Sequence, residues 1–73
     1  MFAQINAIKT GDNIVYLMKK NKVTINQLQD ILNLNTPVSI SRWRNGHCLP
    51  SIDNLVILAQ VFNVKIDDIL VIE

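Results

Sequence analysis

Apolar residues recur along the chain at helical spacing and are interrupted every ten residues or so. Ile14, Leu17 and Met18, with Asn21 beyond them, share one face of a stretch from about Thr10 to Asn21. Leu28, Ile31 and Leu32 do the same over 24–33, and Ile40 and Trp43 over 36–45. Ile52, Leu55, Leu58, Ala59 and Phe62 form a stripe over 51–62, and a short fifth segment spans 66–70. Ile57 and Val61 fall on the less buried side of the fourth stretch, to cover a dimer contact or to pack on the fifth. The pattern predicts five short helices in an all-α fold, with residues 1–73 forming one domain.

The interruptions carry the chemistry of helix ends. Thr24 and Gln27 fit a capping box, in which each side chain satisfies a backbone N–H of the first turn. Pro37 follows Thr36 at a first helical position, where its missing N–H costs nothing. Gly46 closes the third helix and Ser51, after Pro50, opens the fourth. Lys19, Lys20 and Lys22 gather at the end of the first helix and Asp67 and Asp68 at the start of the fifth, each sign suiting the helix dipole. The end segments, FAQINAI and ILVIE, are apolar and partly β-branched. They are expected to be extended and to pair as a two-stranded ribbon, within one chain or across a dimer.

Composition narrows the function classes. With 73 residues, 49% of them hydrophobic, the chain depends on a packed helical core rather than on staples. Cys48 is the lone cysteine, so no intrachain disulfide forms, which suits the cytoplasm. No apolar run approaches the ~20 residues of a membrane span, and the N-terminus lacks the pattern of a signal peptide. His47 and Cys48 are too few for a zinc site, and no constellation of catalytic residues stands out, so neither a metal, a cofactor nor an enzyme is expected. Net charge is only +1, but it is unevenly spread. Residues 1–50 hold six cations against Asp12 and Asp30, a net +4, while residues 51–73 hold Lys65 against four carboxylates, a net −3. The first two-thirds can face an anion while the last third faces away.

The second and third helices, joined by a short turn around Asn33 to Asn35, suit a helix-turn-helix as well as a plain helical hairpin. The residues from Gly11 to Leu70 decide the reading, because in order they resemble the Cro/Xre-type helix-turn-helix family of phage repressors and bacterial regulators. The matching pieces are Gly11-Asp12-Asn13-Ile14, Thr24, Ile40-Ser41-Arg42-Trp43, Asn45-Gly46 and Leu49-Pro50-Ser51, then the run Leu55 to Phe62 and Val64 to Leu70. The resemblance implies a five-helix, lambda-repressor-like bundle, sequence-specific binding to a double-stranded DNA operator, and a homodimer. Three positions depart from it. The turn is about one residue longer than in the commonest members, with Asn33 where glycine is frequent. Ile25 stands where a phosphate-touching glutamine is frequent. Met18 and Arg44 stand where many members pair an arginine with a glutamate, so both partners are replaced together.

Helical geometry separates the arginines of Ser41-Arg42-Trp43-Arg44. Ile40 and Trp43 lie about 60° apart and face inward, and Arg42 and Arg44 lie about 200° apart. Arg42 therefore points to the groove, where a guanidinium grips guanine O6 and N7 with two bonds. Arg44 starts near the core and snorkels to its edge. Val38, Ser39 and Pro37 join Arg42 as base-contact candidates, Val38 and Pro37 through a thymine methyl. Thr24, Asn26, Gln27, Thr36, Asn45, Gly46 and His47 are phosphate candidates, which position without specifying. The leading expectation is a transcriptional regulator, a repressor, that occupies an operator. The alternative is a protein-interaction module of the same fold, such as an antitoxin or antirepressor. Apolar Ile25, Pro37 and Val38, where polar contacts are common, favour that alternative.

Overall fold

A computed structural model describes residues 2–73, and five helices follow one another: α1 (Ala7–Lys20), α2 (Ile25–Ile31), α3 (Val38–Arg44), α4 (Ile52–Phe62) and α5 (Ile66–Ile69). The fold is all-α, as the periodicity predicts. Two helices start elsewhere than expected. α1 begins three residues before Thr10, because the Asn6 side chain accepts from the Lys9 N–H at 2.9 Å and caps the helix there. Ala7 and Ile8 thereby leave the extended N-terminal segment. α3 begins at Val38 rather than at Pro37, with Thr36 Oγ1 accepting from the Val38 N–H at 3.3 Å.

Four of the five helices stop in the same way. At Lys22, Asn33, Gly46 and Asn63 the backbone turns left-handed, with φ of 57°, 55°, 77° and 55°. After each, the next N–H reaches back to an orphan carbonyl: Val23 to Met18 (2.9 Å), Leu34 to Gln29 (2.9 Å), His47 to Arg42 (2.9 Å) and Val64 to Ala59 (3.0 Å). This is the Schellman arrangement, which satisfies carbonyls that would otherwise lack partners. Asn33 thus adopts the left-handed conformation that glycine takes without steric cost, and the same motif closes α2 in the connection between α2 and α3.

The core gathers Ile14, Leu17 and Met18 of α1, Leu28 and the adjoining Leu32, Ile40 and Trp43 of α3, Leu55, Leu58 and Phe62 of α4, and Ile69 of α5. Each contributes roughly 1.5–3 kcal/mol on burial, which the ordering of the chain largely offsets. Two apolar residues assigned to buried stripes lie outside it. Ile52 is 77% exposed, because it sits in the first turn of α4, ahead of the part that packs. Ile31 is 48% exposed at the last turn of α2. Ile57 and Val61 pack against the core. Asn21 is exposed and donates from its own side chain to the Leu17 carbonyl at 2.8 Å.

Both glycines lie at the crossing of α1 and α3. A Cβ on Gly11 would collide with the Trp43 carbonyl oxygen and come 3.0 Å from that of Arg44. A Cβ on Gly46 would come 2.8 Å from Ile8 Cα. The chain ends pair within this one molecule. Ile5 opposes Ile72 antiparallel, Asn6 N–H donates to the Val71 carbonyl at 2.8 Å and Glu73 N–H to that of Gln4 at 2.8 Å. Side chains of α1 tie this ribbon down. Buried Thr10 accepts from the Val71 N–H at 2.9 Å, and Asn13 donates to the carbonyls of Asp68 (2.7 Å) and Ile69 (2.9 Å) at the end of α5.

Candidate nucleic-acid interface

The site is built on α3, whose two faces have opposite surroundings. Ile40 is fully buried and Trp43 is 3% exposed, so the inward face is fixed against the core. Val38, at 57% exposed, and Arg42 stand on the other side, with Ser39 half-buried between. Exposed Pro37 and Thr36 precede them. A seven-residue helix has little stability of its own, and the anchoring of Trp43 and Ile40 is what holds this outward face in place.

The connection from Leu32 to Pro37 is longer than the turn around Asn33 to Asn35 read from the sequence. It is held by the Schellman bonds after α2 and by Gln29, whose side chain donates to the Leu34 carbonyl at 3.3 Å. At the start of α2, Thr24 Oγ1 accepts from the Gln27 N–H at 3.1 Å and Gln27 Oε1 accepts from the Thr24 N–H at 2.8 Å. The capping box is present. It consumes acceptors only, so the Thr24 hydroxyl hydrogen and the Gln27 amide hydrogens are left to donate. Asn26 beside them is exposed. After α3, Asn45 and His47 are exposed and flank half-buried Gly46, in a turn fixed by the His47 N–H to the Arg42 carbonyl.

Thr36, Pro37, Val38, Ser39 and Arg42 thus occupy one continuous stretch at the start of α3 and on its outward side. Thr24, Asn26 and Gln27 belong to the start of α2, and Asn45, Gly46 and His47 to the turn at the end of α3. Arg44 is half-buried at the edge between α1 and α3. It lines one crevice with Val15, Ser41 and Asn45, and a second with Val15, Met18, Lys19, Val23, Thr24 and Ile25. Thr10 and Asn13 have roles the hydrophobic pattern did not reveal. The only signal was a polar pair three residues apart, directly before the apolar run of α1. Among the described residues no group of three or more His, Cys, Asp or Glu side chains is placed to hold a metal ion, and no helix is long and apolar enough to cross a membrane.

A family model for the helix-turn-helix matches residues 14–69, from the first core residue of α1 to the last of α5. The chain belongs to the Cro/C1-type helix-turn-helix family. It is thereby a DNA-binding regulator. Solved structures share the fold of this helix-turn-helix protein at low sequence identity. The restriction-modification controller protein C.AhdI from Aeromonas hydrophila superposes with a TM-score of 0.74 at 16% identity, covering 86% of this chain and 94% of its own. The clp gene regulator ClgR from C. glutamicum gives 0.73 at 15% identity, covering 90% of this chain and 84% of its own. The DNA-binding domain of BldD gives 0.72 at 13% identity, covering 90% and 94%. No curated protein sequence matches the chain.

Proposed function

We propose that residues 1–73 act as one sequence-specific DNA-binding unit, a cytoplasmic repressor that works as a homodimer by occupying an operator. In this reading α3 lies in the major groove and α2 crosses the backbone. Arg42 reads a guanine through O6 and N7, Val38 and Pro37 meet thymine methyls, and Ser39 contacts a base edge. Thr24, Asn26, Gln27 and Thr36, with Asn45, Gly46 and His47, lie against phosphates and set the register. Two copies read two half-sites about one helical turn apart. The names of the similar structures, a controller and a gene regulator among them, support a regulatory role.

The single observation that carries the reading is the outward face of α3. A short helix pinned by a tryptophan presents an arginine and a valine that make no use of the core. Enrichment of bound sequences from random DNA tests it, and a preferred site with two related half-sites is the expected result. Equal, weak binding to every sequence would sink it. The exposure of Val38 next to Pro37 favours one second reading, a surface for a protein partner, as in an antitoxin or antirepressor. A stoichiometric complex with a protein, together with no DNA binding at low salt, would select that one.

A further inference from the structure

The second arginine of α3 carries an inference of its own. Arg44 Nε is buried and has no hydrogen-bond partner. Its side chain borders both crevices that flank it. The residues lining those two crevices include two cations, Arg44 and Lys19, and no carboxylate. The neighbouring cations differ. Lys22 lines a crevice that also holds a carboxylate, Asp30. Lys20 rests its ammonium 5.9 Å from the centre of the Tyr16 ring. Arg44 and Lys19 have neither kind of mate. An arginine whose Nε is buried without a partner, with no carboxylate in the crevices beside it, carries a cost that an external anion would offset.

We infer that Arg44 and Lys19, at the crevice where α1, the start of α2 and the end of α3 converge, form a binding site for one phosphate of the DNA backbone. The inference rests on the DNA-binding reading above and adds two residues to it. Val15, Met18 and Ile25 line the same crevice as Arg44 and give its aliphatic stem apolar surface to lie along while the guanidinium reaches a phosphate. Thr24 lines the same crevice and keeps its hydroxyl hydrogen free to donate. Ile25 has no polar side-chain group to offer a phosphate, and Arg44, from the next helix, supplies the charge at that corner. The two arginines thus divide the work, Arg42 at a base and Arg44 at the backbone.

The test is a salt titration of DNA affinity by fluorescence anisotropy, using the site enriched from random DNA and an unrelated duplex. Arg44→Met fills the crevice with an apolar chain of similar length. It should weaken binding to both duplexes by a similar factor, on the order of tenfold, and flatten the slope of log K against log salt by about one. Lys19→Gln, at an exposed position, should flatten it likewise, and Arg44→Lys should keep most of it. Arg42→Ala should instead act mainly on the enriched site. An unchanged slope in Lys19→Gln and a folded Arg44→Met overturns the inference while leaving the DNA-binding reading intact. If Arg44→Met does not fold, Arg44→Lys and Lys19→Gln decide. A slope lowered by Lys19→Gln and kept by Arg44→Lys supports the site, and any other pair of results overturns it. Absence of DNA binding by the unaltered protein at low salt removes the reading beneath it instead.

Discussion

The two faces of α3 differ in what limits them. The inward face is limited by space. Trp43 and Ile40 fill the core, and the turn beside them runs so close to α1 that both positions of contact are glycines. The outward face is limited only by what it must touch. Val38 and Arg42 are exposed and lie outside the core. A short helix that must be held rigidly yet present a free surface puts its energetics on one side and its specificity on the other. Substitutions should therefore separate cleanly into those that unfold the domain and those that change what it binds.

Trp43→Ala tests the inward side most severely. Truncating a buried tryptophan costs about 3–5 kcal/mol, comparable with the ~5–15 kcal/mol that holds an ordinary domain together. The expected outcome in a denaturant titration is a domain largely unfolded without denaturant, or close to it. Gly11→Ala is the sharper experiment, because helix propensity alone says the opposite. In an open helix, alanine is better than glycine by about 1 kcal/mol. Here the methyl group would meet the Trp43 carbonyl, which is backbone and cannot rotate away. The steric term, about 3 kcal/mol for forced overpacking, should win. A Gly11→Ala protein as stable as the original would show that α1 and α3 can slide apart, and the rigidity argued for α3 would fall with it.

Arg42→Ala tests the outward side. At an exposed position it should change stability by less than about 0.5 kcal/mol. Discrimination at one base pair should fall by about 1–3 kcal/mol, read by competition with single-position variants of the enriched site. Loss of affinity that is equal for all sequences would move Arg42 to the backbone and leave the operator to other residues.

The same contrast explains what could be read from the sequence. The inward residues of the middle helices were legible, since Ile40, Trp43, Leu28 and Leu58 follow a period that burial imposes directly. Ile52 and Ile31 fit the period equally well and are exposed, because the period describes a face while packing depends on how far along the helix the neighbours extend. The Asn6 cap was missed for another reason. It lies in an apolar stretch that reads as extended, and one polar side chain converted two of its residues into helix. Thr10 and Asn13 were illegible in kind, since their partners are backbone groups at Asp68, Ile69 and Val71, far along the chain. The capping box and the Gly46 stop were legible because their chemistry is local.

The smallest expected effect comes from a place where local chemistry looks wrong. Lys22 takes a left-handed φ of 57° to close α1, a conformation in which a Cβ crowds the following carbonyl. Asparagine relieves part of that cost at Asn33 and Asn63 by tolerating the region, and lysine has no such help. Lys22→Gly should therefore stabilise the domain by about 1 kcal/mol, raising the denaturant midpoint with an unchanged slope. Its effect on DNA affinity should be slight, because the crevice that Lys22 lines also holds a carboxylate, Asp30. A stabilised protein with unaltered salt dependence would sharpen the division between Lys22, with a carboxylate in its crevice, and the pair at Lys19 and Arg44, with none. A loss of about one unit of salt slope would place Lys22 at the backbone as well, and the nearby Asp30 would no longer distinguish it from Lys19.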